Sequence, residues 1–363
     1  MKIILAIDSF KGCITSEQAA RAAAQGIADA IPDAQVISLP VSDGGEGMLD
    51  AFLAVTGGQK IMVPVHDPLM RPIQAPYAIT SDGSTAIIEM AQASGLTLLT
   101  PKERNPLIAT SYGTGELIVN ALERRCRRII VGLGGSATSD CGRGMLEAMG
   151  MDFGKGYNYQ SMSDSHFIFN GFSDVEVIVA SDVQNPLTGP RGAARVFARQ
   201  KGATSAMIDL LDKRARRFAD MTFFFTGKNH RLSPGAGAAG GLGFALMAFM
   251  NASLRSGADL LLDMARFDEL VTNANLVITG EGSANEQTLM GKLPYRVMSR
   301  AKAHGVPVAL LCGQLADSAK LVEAGFDSVQ VINHPDDSLE VCIQPEVAMR
   351  NIRNTVHKIL MKP

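Results

Sequence analysis

Short apolar runs alternate with helical patterns at both ends of the chain. The run "KIILAI" at residues 2–7 is continuously apolar, which predicts a strand covered on both faces. A helix is predicted over 15–32, because Thr15 and Gln18 match a capping box and Pro32 stops the pattern. A second strand at 35–41 and a second helix at 47–58 follow. Strands that alternate with helices in this way predict a parallel sheet.

The same order returns near the C-terminus, whereas the middle of the chain differs. The C-terminal elements are a strand and loop at 275–282, a helix at 293–305, a strand at 306–313, a helix at 318–325 and a strand at 327–332. Residues 60–90 instead alternate short strands with Pro and Gly-Asp turns, which favours a mixed or antiparallel sheet.

These patterns predict a two-domain α/β fold. Residues 1–58 and 272–363 would form a discontinuous, doubly wound parallel-sheet (Rossmann-like) domain, and residues 59–271 an inserted mixed α/β domain. Ligands are expected in a cleft where the carboxyl ends of the strands face the insert.

Composition excludes several classes of partner. The chain has 363 residues, 46% of them hydrophobic and 19% charged, with a formal net charge of −2. Such a charge gives no general attraction to nucleic acid or to an anionic membrane. No apolar stretch is long enough for a membrane span, the N-terminus does not fit a signal peptide, and the five cysteines form no CxxC pair. We expect a cytoplasmic protein, and the sequence leaves open whether it is a homodimer.

Five loops that follow apolar strands carry acids or glycines. They are "AIDSFKG" at 6–12, "VSDGGEG" at 41–47, "IIVGLGGSATSDCGRG" at 129–144, "VIVASDVQNPLTGP" at 177–190 and "ITGEGSANEQTLMGKLP" at 278–294. An acid after a strand commonly caps a helix or forms a turn. A doubly wound sheet, however, gathers the carboxyl ends of its strands on one edge, so five such loops predict a shared site.

The loop at 129–144 indicates an anionic ligand. Its glycines, Gly134 and Gly135 among them, let backbone approach a ligand, and Ser136 and Thr138 add hydroxyls. A helix is predicted to start soon afterwards, and its N-terminal amides would favour phosphate or carboxylate. A tight strand-to-helix turn without a ligand is the alternative. The spacing does not match a Walker A loop.

A second glycine-rich segment, "PGAGAAGGLG" at 234–243, contains a literal GxGxxG. No convincing strand leads into it, so the pattern does not favour a dinucleotide fingerprint. We expect instead a helix start packed closely on another backbone or on a bound anion.

The carboxylates suit Mg²⁺ better than zinc, because the histidines have no paired spacing. Glycine-rich anion loops, a lysine and several carboxylates are the groups that phosphoryl transfer requires. "GGSAT" lacks the last glycine of a nucleophile elbow. The basic clusters at 124–128 and 213–217 are better explained as solvated helix ends than as an RNA surface.

Over nearly its whole length the chain resembles the bacterial type I glycerate kinases. The segments that carry the resemblance are "IDSFKG", "SDGGEG", "GTGELI", "GLGGSATSDCGRGM", "ASDVQNPLTGPRGAARVFARQKGA" and "PGAGAAGGLG". The resemblance implies a two-domain α/β fold, ATP and Mg²⁺ as cofactors, and phosphorylation of D-glycerate to 2-phosphoglycerate. "GLGGSAT" alone also resembles the phosphate loop of the galactokinase and homoserine kinase superfamily, but the rest of the chain does not.

The resemblance also implies site residues, whose individual roles we infer from their chemistry. The catalytic candidates are Asp8, Lys11, Asp182 and Glu281. The candidates for nucleotide phosphates are Gly134, Gly135, Ser136, Ala137, Thr138 and Lys292. The candidates for substrate are Ser9, Asp43, Gly44, Gly45, Asn185, Ser283 and Asn285. The candidates for metal are Asp43, Asp140 and Asp182.

The chain departs from the family at two positions of the last loop. Where the family typically has GEGRID, this chain has Ser283 and Asn285 in place of the arginine and the aspartate. Arginine suits a planar carboxylate, and aspartate suits a metal or a proton-accepting role. The alternative hypothesis is therefore a paralogue that binds nucleotide or a small hydroxy acid but acts on another substrate, or on none.

Overall fold

The computed structural model describes residues 1–10, 12–41, 47–153 and 174–361. The strands are β1 Lys2–Ile7, β2 Gln35–Ser38, β3 Gln59–His66, β4 Pro72–Ile79, β5 Thr85–Glu89, β6 Arg128–Gly132, β7 Glu176–Ala180, β8 Ser253–Arg255, β9 Leu276–Ala284, β10 Val308–Leu315 and β11 Ser328–Val331. The helices are α1 Ser16–Ala30, α2 Met48–Thr56, α3 Ala91–Ser94, α4 Tyr112–Glu123, α5 Arg143–Ala148, α6 Ala193–Phe197, α7 Ser205–Thr226, α8 Leu242–Met250, α9 Gly257–Met264, α10 Phe267–Val271, α11 Glu286–Leu289, α12 Leu293–Ala303, α13 Ser318–Glu323, α14 Leu339–Cys342 and α15 Pro345–Met361. Short 3₁₀ turns cover Leu96–Leu98, Arg199–Lys201 and Ala238–Gly241.

The two ends of the chain form one parallel sheet, as the sequence predicted. Its strand order is β11-β10-β9-β1-β2, and each neighbouring pair runs parallel. From β1 the chain moves outward to β2 on one side, and from β9 it moves through β10 to β11 on the other. The order therefore reverses between β1 and β9, which is where doubly wound sheets bind ligands.

Strand β1 is buried on both faces, as its continuous apolar sequence predicted. Ile3, Leu5 and Ile7 pack in one core cluster with helices α1 and α15. Ile4 and Ala6 are also fully buried, and they point to the opposite face because side chains alternate along a strand. The capping box of α1 is present, with Thr15 and Gln18 each bonded to the backbone N–H of the other.

The middle of the chain forms a mixed sheet in the order β3-β4-β5-β6-β7-β8. Strands β3, β4 and β5 pair antiparallel, and β5 to β8 pair parallel. The antiparallel start agrees with the Pro and Gly-Asp turns in residues 60–90, and the α/β class is thus confirmed for both sheets.

The chain divides into two compact units. One comprises Met1–Asp43, Ala54–Thr56 and Ala258–Pro363, and the other Gly44–Leu53 and Gly57–Gly257. Helix α10 and all of α9 except Gly257 fall in the first unit, where Arg300 of α12 bonds Asp263 and Asp268 at 2.6 Å each. The proposed division at 58 and 272 would instead place these helices in the insert, and it stays a prediction.

Two local features differ from the sequence-based expectation. The loop expected after Thr279 is still strand, since Ser283 and Ala284 of β9 pair with Gln314 and Leu315 of β10. The long C-terminal helix α15 was not identified, although it buries residues four apart on one face: Ala348, Ile352 and Val356. Among the described residues, no helix is long and apolar enough to cross a membrane.

Candidate active site

In the first unit, Asp8 and Glu281 lie at the point where the strand order reverses. Ile7 at the end of β1 pairs with Gly280 of β9, and the Asp8 N–H donates to the Gly280 carbonyl at 2.9 Å. Asp8 accepts a 2.7 Å hydrogen bond from the N–H of Ser9. The sheet therefore brings these two predicted catalytic carboxylates to adjacent positions at its carboxyl edge.

Glu281 is buried and tightly held. Its side chain is 8% exposed; the Thr288 hydroxyl donates to Oε1 at 2.5 Å, and Lys292 Nζ lies 3.3 Å from Oε2. The neighbouring thiol of Cys312 is buried, and burial together with the Glu281 charge raises its pKa to about 12. A carboxylate fixed at both oxygens has a defined direction, which a general base needs.

The two positions that depart from the family differ in environment. Ser283 is an exposed residue of β9, opposite Gln314 of β10. Asn285 is the N-cap of α11, where its side chain accepts from the Gln287 N–H at 2.8 Å. Asn285 therefore has a structural role that its sequence context did not reveal, and its side-chain oxygen is engaged with backbone.

Four predicted site residues lie outside the described part of the chain. They are Lys11, Asp43, Gly44 and Gly45. Their assigned roles stay predictions.

In the second unit, the segment Gly134–Thr138, which we call the glycine loop, is fixed from one side by residues 94–96. The Ala137 N–H donates to the Ser94 carbonyl at 2.9 Å, and the Leu96 N–H donates to the Gly135 carbonyl at 2.8 Å. Gly135 has a positive φ of 72°, which a residue with a side chain adopts only with strain. The turn is therefore held in one conformation by its neighbours.

The other side of the glycine loop packs on the glycine-rich segment 234–243. A Cβ on Gly240 would lie 2.0 Å from the Thr138 carbonyl oxygen, and the Cys141 N–H donates to the Gly240 carbonyl. No strand leads directly into this segment. The expectation of a glycine-rich helix start packed on another backbone is confirmed.

Several backbone donors of the glycine loop have capacity for a ligand. Four N–H groups have no acceptor within the described part of the chain: those of Gly134, Gly135, Ser136 and Thr138. Gly134 is partly exposed and Gly135 is exposed, whereas Ser136 and Thr138 are buried, so the accessible donors are those of the two glycines. Unpaired N–H groups in a turn form an anion-binding cradle, so the loop fits a phosphate chemically.

Lys201 was missed by the sequence analysis. It is 2% exposed, and its Nζ donates to Ser136 Oγ at 2.7 Å and to the Thr138 carbonyl at 2.6 Å. Burial lowers the pKa of Lys201 to about 7, an effect that the nearby Asp140 charge opposes. The one sequence signal for Lys201 was its place in "ARQKGA", the end of a segment that carries the family resemblance. A cation at that position, however, looks like the cations found near any helix end.

Asp140, a predicted metal ligand, has its carboxylate occupied by the start of α5. Oδ2 accepts from the N–H and hydroxyl of Ser111 at 2.8 Å each and from the Gly144 N–H at 3.1 Å. Oδ1 accepts from the Gly142 N–H at 3.1 Å. These bonds describe a structural anchor, and the metal role of Asp140 stays a prediction.

The remaining predicted site residues of the second unit, Asp182 and Asn185, lie in the loop after β7. Asp182 is exposed, two residues beyond the end of β7. Asn185 bridges two backbone segments, since its Nδ2 donates to the Arg191 carbonyl and its own carbonyl accepts from Gly237 N–H. Asn185 thus orders the loop.

Arg143, the first residue of α5, is held by two contacts within the second unit. Its Nε lies 2.7 Å from Glu147 Oε1, and its guanidinium stacks 5.5 Å above the Phe153 ring centroid. These contacts describe a packed cation on α5.

Glu89, at the end of β5, is a second residue that the sequence analysis missed. Its carboxylate is buried and accepts from the Leu49 N–H at 2.6 Å and from Gln92 Nε2 at 2.7 Å. Burial raises its pKa. Glu89 therefore fixes the first turn of α2.

No cluster of three or more metal-binding side chains is found among the residues that the structure describes. Mg²⁺ commonly binds through one or two carboxylates together with substrate phosphates and water. An exposed carboxylate such as Asp182 suits that mode of binding, so the donor set is compatible with Mg²⁺ carried by a nucleotide.

Comparisons with known proteins agree along the whole chain. A family model described as "Glycerate kinase family" matches residues 3–362. A "Glycerate kinase" of Bacillus subtilis (strain 168) is 43% identical over 91% of this chain and 89% of its own length. A "Glycerate 2-kinase" of Escherichia coli (strain K12) is 42% identical over 91% of this chain and 90% of its own length.

The fold has a close counterpart among solved structures. A crystal structure described as "putative glycerate kinase 2 from Salmonella typhimurium LT2" aligns with a TM-score of 0.86 and 38% sequence identity. The alignment covers 99% of this chain and 97% of the other. The same architecture therefore extends across both compact units.

Proposed function

Because the chain belongs to the glycerate kinase family, we propose that it transfers the γ-phosphoryl group of Mg-ATP to D-glycerate, giving 2-phosphoglycerate. The observation that carries the proposal is the glycine loop, in which the accessible residues Gly134 and Gly135 have backbone N–H groups with no acceptor among the described residues. Phosphoryl transfer relies on such preorganised donors because the transferring group carries spread negative charge.

The second unit supplies the groups for nucleotide phosphates. The backbone N–H groups of Gly134 and Gly135 bind phosphate oxygens. Asp182 would hold Mg²⁺ in this unit, and Asp43 stays a predicted metal ligand. When bound, the metal ion offsets phosphate charge.

The first unit supplies the groups for the acceptor. Glu281 accepts the proton of the attacking hydroxyl, since it is buried and held by Thr288 and Lys292. Asp8 lies beside Glu281, directly after the carboxyl end of β1, and orients the acceptor through hydrogen bonds. Lys292, whose Nζ pairs with Glu281 at 3.3 Å, stays a predicted phosphate ligand.

A coupled assay of ADP release with D-glycerate tests the proposal. Product analysis by ³¹P NMR distinguishes 2-phosphoglycerate from 3-phosphoglycerate, and L-glycerate serves as the matched control. Absence of turnover by a protein that binds ATP measurably would refute glycerate as the substrate.

A second candidate function follows from Ser283 and Asn285. Ser283 is exposed and neutral, and Asn285 caps α11, so neither offers the charge that the family typically has there. The chain would then phosphorylate another small hydroxy acid, or bind its ligands without turnover. Activity on D-lactate or a related acid that exceeds activity on D-glycerate would favour this candidate.

A further inference from the structure

Lys201 lies directly behind the glycine loop. Its Nζ bonds two positions of that loop, Ser136 Oγ at 2.7 Å and the Thr138 carbonyl oxygen at 2.6 Å. Of the described residues, it is the only cationic one hydrogen-bonded to the loop. An ammonium group at nine-tenths burial or more is rare in proteins, and it is expensive unless its environment uses the charge.

The two contacts of Lys201 set the direction of the loop's donors. By donating to the Thr138 carbonyl, Lys201 holds that carbonyl oxygen on the buried side of the loop. By donating to the Ser136 hydroxyl, it fixes the rotamer of that side chain. The N–H groups of the accessible residues Gly134 and Gly135 have no acceptor within the described residues, so they are left available on the loop.

We propose that Lys201 is a positioning residue that holds the glycine loop in its phosphate-binding conformation and supplies positive charge beneath the bound phosphates. The proposal rests on the function proposed above, because it requires nucleotide phosphates at this loop. It goes further by assigning the loop's electrostatic character to a side chain that is 63 positions away from Thr138.

The electrostatics of the site support this role. Burial lowers the pKa of Lys201 to about 7, and Asp140 is the charged group whose field acts against that change. A bound polyanion stabilises the charged form of a neighbouring amine, so phosphate binding is expected to raise this pKa and take up a proton. Neutral lysine keeps hydrogen-bonding capacity but lacks the charge.

The main test is titration of the full chain with tripolyphosphate and, separately, with adenosine. Lys201→Met should weaken tripolyphosphate binding by about tenfold or more, because a charge-assisted contact is lost, and should leave adenosine affinity unchanged. The matched control is Lys213→Met, the same change at an exposed lysine of α7, which should leave both affinities unchanged. In turnover assays, Lys201→Met should raise KM for ATP, and Lys201→Arg should restore part of the affinity.

A second measurement uses the wild-type chain alone. Sulfate does not titrate between pH 6 and 9, so a fall in sulfate affinity above pH 7 would report loss of the Lys201 proton. If Lys201→Met does not fold, the same tripolyphosphate titration with Lys201→Gln, which keeps a polar side chain without the charge, decides the proposal.

The outcomes separate this inference from the proposed function. Wild-type chain that binds tripolyphosphate, with Lys201→Met within about twofold of it, would overturn the role of Lys201 and leave the proposed function intact. Wild-type chain that binds neither ATP nor tripolyphosphate would overturn both. Sulfate affinity that is constant from pH 6 to 9 would mean that Lys201 keeps its proton over this range, which would refute the lowered pKa and not the charge role.

Discussion

The hydroxyl of Thr288 donates a 2.5 Å hydrogen bond to the Glu281 carboxylate, and both side chains are buried. Lys292 approaches the other oxygen of the same carboxylate at 3.3 Å. Thr288 reaches Glu281 because the short helix α11 follows β9 directly. The chain thus places a donor, a cation and a carboxylate within one continuous segment.

The first prediction concerns Glu281. Glu281→Gln keeps an acceptor for Thr288 but removes proton-accepting capacity, so kcat should fall by about 10²- to 10⁴-fold. The unfolding temperature should change little. Steady-state kinetics and thermal unfolding provide the measurements.

The matched control is Glu286→Gln, at an exposed acid of α11 that pairs with Lys320. It should leave kcat at the wild-type value. A Glu281→Gln chain with wild-type kcat would exclude Glu281 as the base. Thr288→Val should lower kcat less than Glu281→Gln does, because it disturbs the carboxylate without removing it.

The second prediction concerns the departure at 283 and 285. The double change Ser283→Arg with Asn285→Asp should lower KM for D-glycerate by about tenfold, since a guanidinium binds a carboxylate through two hydrogen bonds. Asp caps a helix as well as Asn does, so α11 should keep its stability. Kinetics with D-glycerate and a thermal melt test both parts.

Ser283→Lys with Asn285→Asp is the matched control. Lysine brings the positive charge but not the planar pair of N–H donors of a guanidinium, so it should improve KM less. If the arginine variant leaves D-glycerate turnover unimproved, these two positions do not determine the substrate.

The third prediction concerns Gly240 beneath the glycine loop. Gly240→Ala would place a Cβ 2.0 Å from the Thr138 carbonyl oxygen at a φ of +65°. The overpacking should cost about 1–3 kcal/mol beyond the backbone strain, and displacement of Thr138 should weaken tripolyphosphate binding. Thermal unfolding and titration are the measurements.

Gly227→Ala provides the comparison. Gly227 has a φ of +72° with nothing within 4 Å of a Cβ, so only backbone strain of about 1 kcal/mol is expected, with no change in binding. Equal effects of the two substitutions would show that the close contact with Thr138 does not matter.

The sequence could predict what depends on local pattern. Strand β1 and the Thr15 capping box are both encoded within a few neighbouring residues, and the structure has both. Glu281 was expected in a loop, because glycine disfavours strands. Pairing with β10 extends β9 through Ala284, and that tertiary contact outweighs the local preference.

The role of Lys201 could not be predicted from sequence because it also depends on tertiary contacts. Its partners Ser136 and Thr138 lie more than 60 positions earlier, and they meet Lys201 only after β6, β7 and α6 have packed. Asn285 lies between these two cases of predictability. N-cap residues are recognisable from sequence, but this segment looked like a ligand loop rather than the start of α11.

The last prediction concerns the pH dependence of stability. Burial lowers the pKa of Lys201 to about 7, from an ordinary value of 10.5. Between these values the unfolded chain binds more protons at this site than the folded chain does. Stability therefore rises with pH across this window, by up to about 1.4 kcal/mol per pH unit from this residue. Below pH 7 the cost of burying the charge is fully present.

Chemical denaturation of wild type and Lys201→Met at pH 6.5, 7.5 and 8.5 measures this contribution. The difference in unfolding free energy, wild type minus variant, should increase from pH 6.5 to 8.5, and most steeply above pH 7. Subtraction removes the titrations common to both chains, and Lys213→Met should show no such increase because its lysine is exposed. A difference that does not change with pH would mean that the contacts with Ser136 and Thr138 keep Lys201 charged despite its burial.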